Sequence, residues 1–260
     1  MKILDDLIGS LRNDATAREV RVGPFWTAVW SRGCGLASTT GLGEHEHGAT
    51  FVQEAGSLAG RSALELARLA YSDRSLEAGI GLAAINSLLL VDEGNCVELN
   101  AGELLVERGR GKKVALIGHF PFVPVLQEAA ARLWVIELSP QPGDIYADEV
   151  EAIVPQADIV AITGSAFINH TIERLLGVCQ PQSFVVVLGP TTPLSPVLFD
   201  YGVDVVSGTL VVEPELALRC LSEGATFRQI AGTRRLTMER QAARPVAAPY
   251  DENPSRTGKE

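Results

Sequence analysis

Five short runs of consecutive apolar residues, rich in valine and isoleucine, recur in the second half of the chain, at residues 114–118, 133–138, 158–163, 184–189 and 203–207. A strand with one wet face alternates apolar and polar side chains. An unbroken apolar run instead means burial on both faces, as in a parallel sheet covered by helices. The runs are spaced at roughly the length of a βα unit, with helical segments between them, the first over residues 123–132. The pattern predicts a doubly wound parallel sheet, with the carboxyl ends of its strands along one edge.

Ahead of these runs the pattern is of another kind. Ile3, Leu4, Leu7, Ile8 and Leu11 recur at helical spacing over residues 2–12. Residues 20–31, rich in β-branched and aromatic side chains, read as a strand or hairpin arm, and residues 33–40 as its returning partner. Residues 41–48 read as a glycine-bounded loop. Helices are expected over residues 62–71 and 75–90. The second is apolar nearly all round, so it should be sandwiched, and its small residues would let another backbone approach closely. Strands followed by helices make an α+β layer. The charged, glycine-punctuated stretch 107–113 reads as a linker, which gives an α+β domain over 1–108, an α/β domain over 109–240 and a proline-bearing tail over 241–260.

Bulk properties limit the partners. A formal net charge of −10 opposes nucleic-acid phosphates and anionic membrane surfaces alike. The longest apolar stretch, residues 80–91, contains Asn86 and Ser87 and is too short to span a bilayer. Asp5 and Asp6 fall where a secretory signal would need an apolar core. Cys34, Cys96, Cys179 and Cys220 form no CxxC pair and read as reduced thiols of a cytoplasmic protein.

Several predicted strands end in groups that a ligand could use: Gly118-His119-Phe120, Glu137 with Gly143-Asp144 after it, Thr163-Gly164-Ser165 leading to Asn169, Gly189-Pro190-Thr191, and Ser207-Gly208-Thr209. In a parallel sheet these turns converge on the edge where open α/β folds bind ligands. Each also has a plainer reading. Thr163 and Ser165 suit a helix cap, and Gly189-Pro190-Thr191 suits a rigid turn. His170 reads as a surface residue. Glu137 stands about twenty residues after Gly118, where a dinucleotide fold places its ribose-binding acid. The first turn, however, is Gly-His-Phe-Pro-Phe-Val rather than GxGxxG, and its bulk argues against ordinary NAD binding. Glu44-His45-Glu46-His47 offers metal-ligand side chains in a row, suited to a divalent transition metal, although alternating residues in a loop seldom close a site alone and a solvated loop is the favoured reading. His119 is the better placed imidazole.

These segments, together with Gly33-Cys34-Gly35-Leu36-Ala37 and Gly81-Leu82-Ala83-Ala84-Ile85-Asn86 of the first half, resemble the DUF364 proteins, a family described by heavy-metal chelation, with a smaller DUF4213 domain in front. The resemblance covers most of the chain except the tail. It implies an N-terminal domain like that of enolase, a Rossmann-like C-terminal domain and a site where the two meet. Asn86 would then face the edge carrying His119, Glu137, Thr163-Gly164-Ser165 and Gly189-Pro190-Thr191.

Two functions follow as expectations. One is binding or delivery of a transition metal, bare or held by a small chelator, with His119 and Glu137 or Asp144 as ligands and His45 and His47 as additional ones. The other is an enzyme or sensor that binds an anionic small molecule or nucleotide at the turns after Thr163 and Gly189. A homo-oligomer whose glycines serve only packing is the plain alternative.

Overall fold

The computed structural model describes residues 1–41 and 50–241. The loop histidines His45 and His47, and the tail beyond Gln241, lie outside the described residues.

Helix α1 (Lys2–Ser10) buries Ile3, Leu4 and Leu7, as their spacing requires. The valine- and tryptophan-rich stretch is itself a hairpin: β1 (Glu19–Val22) and β2 (Trp26–Trp30) turn at Gly23 and Pro24. β3 (Cys34–Ser38) then pairs antiparallel with β2, completing a three-stranded sheet. α2 (Ala63–Ala67), capped by the Ser62 hydroxyl, leads through a 3-10 turn into α3 (Ser75–Leu88). α3 is buried almost throughout, sandwiched between the small sheet and the α2 region. Its glycines set that packing. A Cβ on Gly81 would stand 1.9 Å from the Ala70 amide nitrogen, and one on Gly35 of β3 would stand 2.1 Å from the Ala83 carbonyl.

The second half begins with α4 (Ala101–Gly109), capped by Asn100, which runs into the stretch read as a linker. β4 (Lys113–Ile117), α5 (Val123–Ala129), β5 (Arg132–Glu137), the short β6 (Ile145–Tyr146) and α6 (Val150–Ile153) follow. Next come β7 (Ile159–Thr163), α7 (Ile172–Gly177), β8 (Phe184–Leu188) and β9 (Val205–Val211), then α8 (Pro214–Ser222) and β10 (Thr233–Glu239). All five apolar runs are strands of one sheet of order β10-β9-β8-β7-β4-β5-β6. Its pairings are parallel except for β10, which lies antiparallel on β9. The chain winds outward from β4 to β6, then returns to the other side of β4 through β7, so the switch point lies between β4 and β7.

The halves are not separate beads. One core joins Leu4, Leu82 and Ile85 of the first half to Ile162, Phe167 and Leu198 of the second. α8 crosses back to cover the outer face of the small sheet, packing Leu218 and Leu221 against Ala28 and Leu36. α1 is tied on both sides: the Ile3 amide donates to Glu173 Oε1 (2.7 Å), and Tyr71 and Tyr201 donate to Asp5 and Asp6 (2.5 Å each).

Candidate functional site in the cleft at the sheet edge

A cleft of about 1360 Å³ opens along the carboxyl edge of the large sheet, centred on the switch point and walled on one side by the small sheet. Gly118, His119, Phe120, Glu137, Thr163, Gly164, Ser165, Asn169, Gly189, Pro190 and Thr191 all line it. Parallel pairing is what gathers residues so far apart in sequence.

The turns that reach the cleft depend on backbone only glycine adopts readily. Gly118 follows β4 with φ +104°, and Gly189 follows β8 with φ +115°. Beyond Gly118, Glu137 accepts the His119 amide (2.7 Å) on one oxygen and the Leu138 amide (3.1 Å) on the other. That carboxylate therefore shapes the first turn instead of standing free at the position of a ribose-binding acid. The His119 ring meets Asp144, with Nδ1 3.1 Å from Oδ2, and the same oxygen accepts the Gln141 amide (3.1 Å). Asp144 is nearly buried and the imidazole about one-third exposed, so the carboxylate orients a ring that still reaches solvent. With Nδ1–H donated to Asp144, the Nε2 lone pair is left for a ligand or metal. Phe120 and Phe122 stack beside it with centroids 5.2 Å apart.

Hydroxyls join the halves at the middle of the cleft. The Ser38 amide donates to Thr191 Oγ1 (2.9 Å), the two hydroxyls lie 2.9 Å apart, and Ser165 Oγ donates to Ser38 Oγ (3.2 Å). Thr163 Oγ1 accepts the Ser165 amide (3.3 Å), so Thr163 caps the 3-10 turn Gly164–Phe167, as its plainer reading holds. Asn86 stands behind the cleft wall. It donates to the Leu36 and Thr191 carbonyls, holding the Thr191 turn without lining the cleft. Asn169 accepts the Thr171 amide and hydroxyl. His170, read as a surface residue, is half-buried at φ +59° with Nε2 2.8 Å from the Ala70 carbonyl; it is a tie between the halves.

Among the described residues, no three His, Cys, Asp or Glu side chains stand together as a metal-holding group. His119 and Asp144 touch, whereas Glu137 is turned to the backbone. Sequence reasoning missed the far end of the cleft, where Trp26, Thr226, Phe227, Arg228 and Arg235 join Thr209. Arginines on an edge strand carry no motif, and nothing in their spacing announces a site.

Comparison with known proteins bears on the family and the fold. Residues 100–240 match the DUF364 family and residues 4–89 match DUF4213, both described as "Putative heavy-metal chelation". An uncharacterised protein of Methanocaldococcus jannaschii, MJ0500, is 28% identical over 185 residues, covering 67% of this chain and 71% of that protein. A DUF364 protein of unknown function from Desulfitobacterium hafniense superposes with a TM-score of 0.80 at 28% identity, over 92% of this chain and 97% of its own. One from Pyrococcus horikoshii, at 22% identity, shares the fold with a TM-score of 0.78 over 92% and 98% of the two chains. No helix among the described residues is long and apolar enough to cross a membrane. With more than half of its length matched, this chain belongs to the DUF364 family.

Proposed function

We propose that the protein handles a divalent transition metal carried by a small organic chelator, with the chelator seated in the cleft and His119 as the protein's own donor to the metal. The observation that carries this reading is a single oriented imidazole, backed by Asp144, on the wall of a cleft of about 1360 Å³. One imidazole is too few donors for a bare ion, which takes four or more. The volume suits an organic molecule. A chelate supplies the missing donors itself, and the family description points the same way. Glu137 and Asp144 serve as supports of the donor in this scheme, Thr163 and Ser165 offer hydroxyls to the organic part, and the buried Thr191 holds Ser38 behind them. Free thiols at Cys34, Cys96, Cys179 and Cys220 fit a cytoplasmic setting.

A second reading, a metal-free anionic ligand or nucleotide, draws support from the hydroxyl-rich middle of the cleft and the arginines at its far end. Equilibrium dialysis separates the two. Untagged protein is dialysed against Ni²⁺, against ¹⁴C-citrate and against Ni²⁺–¹⁴C-citrate, with retained metal counted by elemental analysis and retained citrate by its label. Retention from the chelate near one metal per chain, weak retention of bare Ni²⁺, and at least tenfold loss in His119→Ala are expected. Stoichiometric retention of bare Ni²⁺ at full strength in His119→Ala would overturn the chelate reading, as would no retention from either. Citrate bound equally with and without metal would favour the second reading.

A further inference from the structure

Arg234 and Arg235 are neighbours on β10 and have opposite fates. Arg234 points to one face and is neutralised twice, by Glu93 (2.5 Å) and Glu98 (2.6 Å). Arg235 points to the other face, into the cleft, and makes no ion pair among the described residues. Its guanidinium instead lies over the Phe227 ring, 5.3 Å from the centroid, and Phe227 in turn meets Trp26 at 5.5 Å. An aromatic face holds a guanidinium in place without cancelling its charge. Arg235 shares this state with Arg110 and Arg228, which also line the cleft without an ion pair among the described residues, and in a chain of net charge −10 an unneutralised guanidinium held at a cleft is poised for an external anion.

The surroundings complete an anion-binding end. Thr209 is the cross-strand partner of Arg235 and lines the same wall, and Arg228 brings a second guanidinium on the loop before β10. Trp26, from the small sheet, closes the other side, and its buried indole N–H has no hydrogen-bond partner among the described residues. β4 and β10 are four strand spacings apart, on the order of 19 Å at about 4.8 Å each. The anion held here is thus remote from whatever sits beside His119.

We infer that Arg235, with Arg228, Thr209 and Trp26, forms a distal subsite for a carboxylate or phosphate group, so that the ligand of the cleft is an elongated molecule with a terminal anion. The inference rests on the cleft being a ligand site, and it does not depend on the metal. Anionic oxygens are the shared chemistry, and two probes distinguish their source: inorganic pyrophosphate and citrate, each titrated into metal-free full-length protein by calorimetry and by tryptophan emission. Arg235→Gln is expected to weaken the better-bound probe at least tenfold. Arg235→Lys should fall between, because it keeps the charge and loses the planar fork. Arg234→Gln, the same change in net charge one residue away, should shift affinity less than twofold. The emission change should vanish in Trp26→Phe. Equal losses in Arg234→Gln and Arg235→Gln would reduce the effect to overall charge and overturn the subsite, as would failure of both probes to bind wild-type protein. Because no metal is present, neither failure touches the fate of the chelate at His119.

Discussion

Asn86 donates its side-chain amide to two carbonyls at once, Leu36 of the small sheet at 2.9 Å and Thr191 of the turn after β8 at 3.1 Å. One amide therefore fixes the distance between the two walls of the cleft. Asn86→Ala leaves both carbonyls without that donor, at a cost of about 1–3 kcal/mol. For a chain of this length the melting temperature should drop by roughly 2–4 °C per kcal/mol. Asn86→Asp should be worse, since it sets a negative charge against two carbonyl oxygens. Thermal melts of the two variants check the order, and an Asp variant as stable as wild type would refute it.

Gly164 is the closest approach between the turns after β7 and β8. A Cβ there would stand 2.5 Å from the Thr192 amide nitrogen and 2.6 Å from its hydroxyl. Gly164→Ala should destabilise by about 1–3 kcal/mol, as overpacking does. Gly177, at the end of α7, has nothing within 4 Å of its would-be Cβ and is the control. Equal melting temperatures for the two alanine variants would contradict the packing described.

Asp144→Asn should leave the fold intact while weakening retention of Ni²⁺–citrate by about 10–100-fold, the usual effect of losing the carboxylate behind a metal-binding imidazole. An unchanged affinity would mean that Asp144 only shapes the loop through the Gln141 amide.

The Cys34 thiol is pushed up to about 12, first by burial and then by the carboxylates of Glu19 and Glu215. Its protonated form is the one the fold accepts. The resulting stability is fully present below the ordinary thiol value near 9 and is lost as pH rises from there through about 12. Denaturation midpoints should accordingly fall between pH 9 and 11, and Cys34→Ala should flatten that slope. At pH 8 a thiol reagent should modify Cys34 only after unfolding; equal rates in native and urea-unfolded protein would contradict its burial.

The large sheet was legible because double burial writes itself into unbroken valine and isoleucine runs. Residues 114–118 and 184–189, for example, end in glycines that become positive-φ turns. α3 was legible for a related reason, since a helix with no polar face must be surrounded. β10 was not, because Thr233, Arg234 and Arg235 are those of a wet edge strand, and only its pairing with β9 makes it part of the sheet. The cleft was half visible: turns at strand ends converge by topology, so His119, Thr163 and Thr191 could be placed on one edge in advance. That Glu137 would turn to the His119 amide, or that His170 would cross to Ala70, depends on side-chain rotamers and packing between halves, which no local pattern encodes.

The ties at α1 bear on how a ligand could enter. A helix fastened to Glu173 and Tyr201 on one side and Tyr71 on the other acts as a cross-brace, so the two walls cannot swing apart like the covers of a book without breaking it. A ligand of the proposed kind would then enter and leave through small local rearrangements at the rim, on the timescale of side chains and loops rather than of hinges between the halves. In hydrogen exchange the amides of α1 would open only together with the core, which makes this helix a reporter of global unfolding.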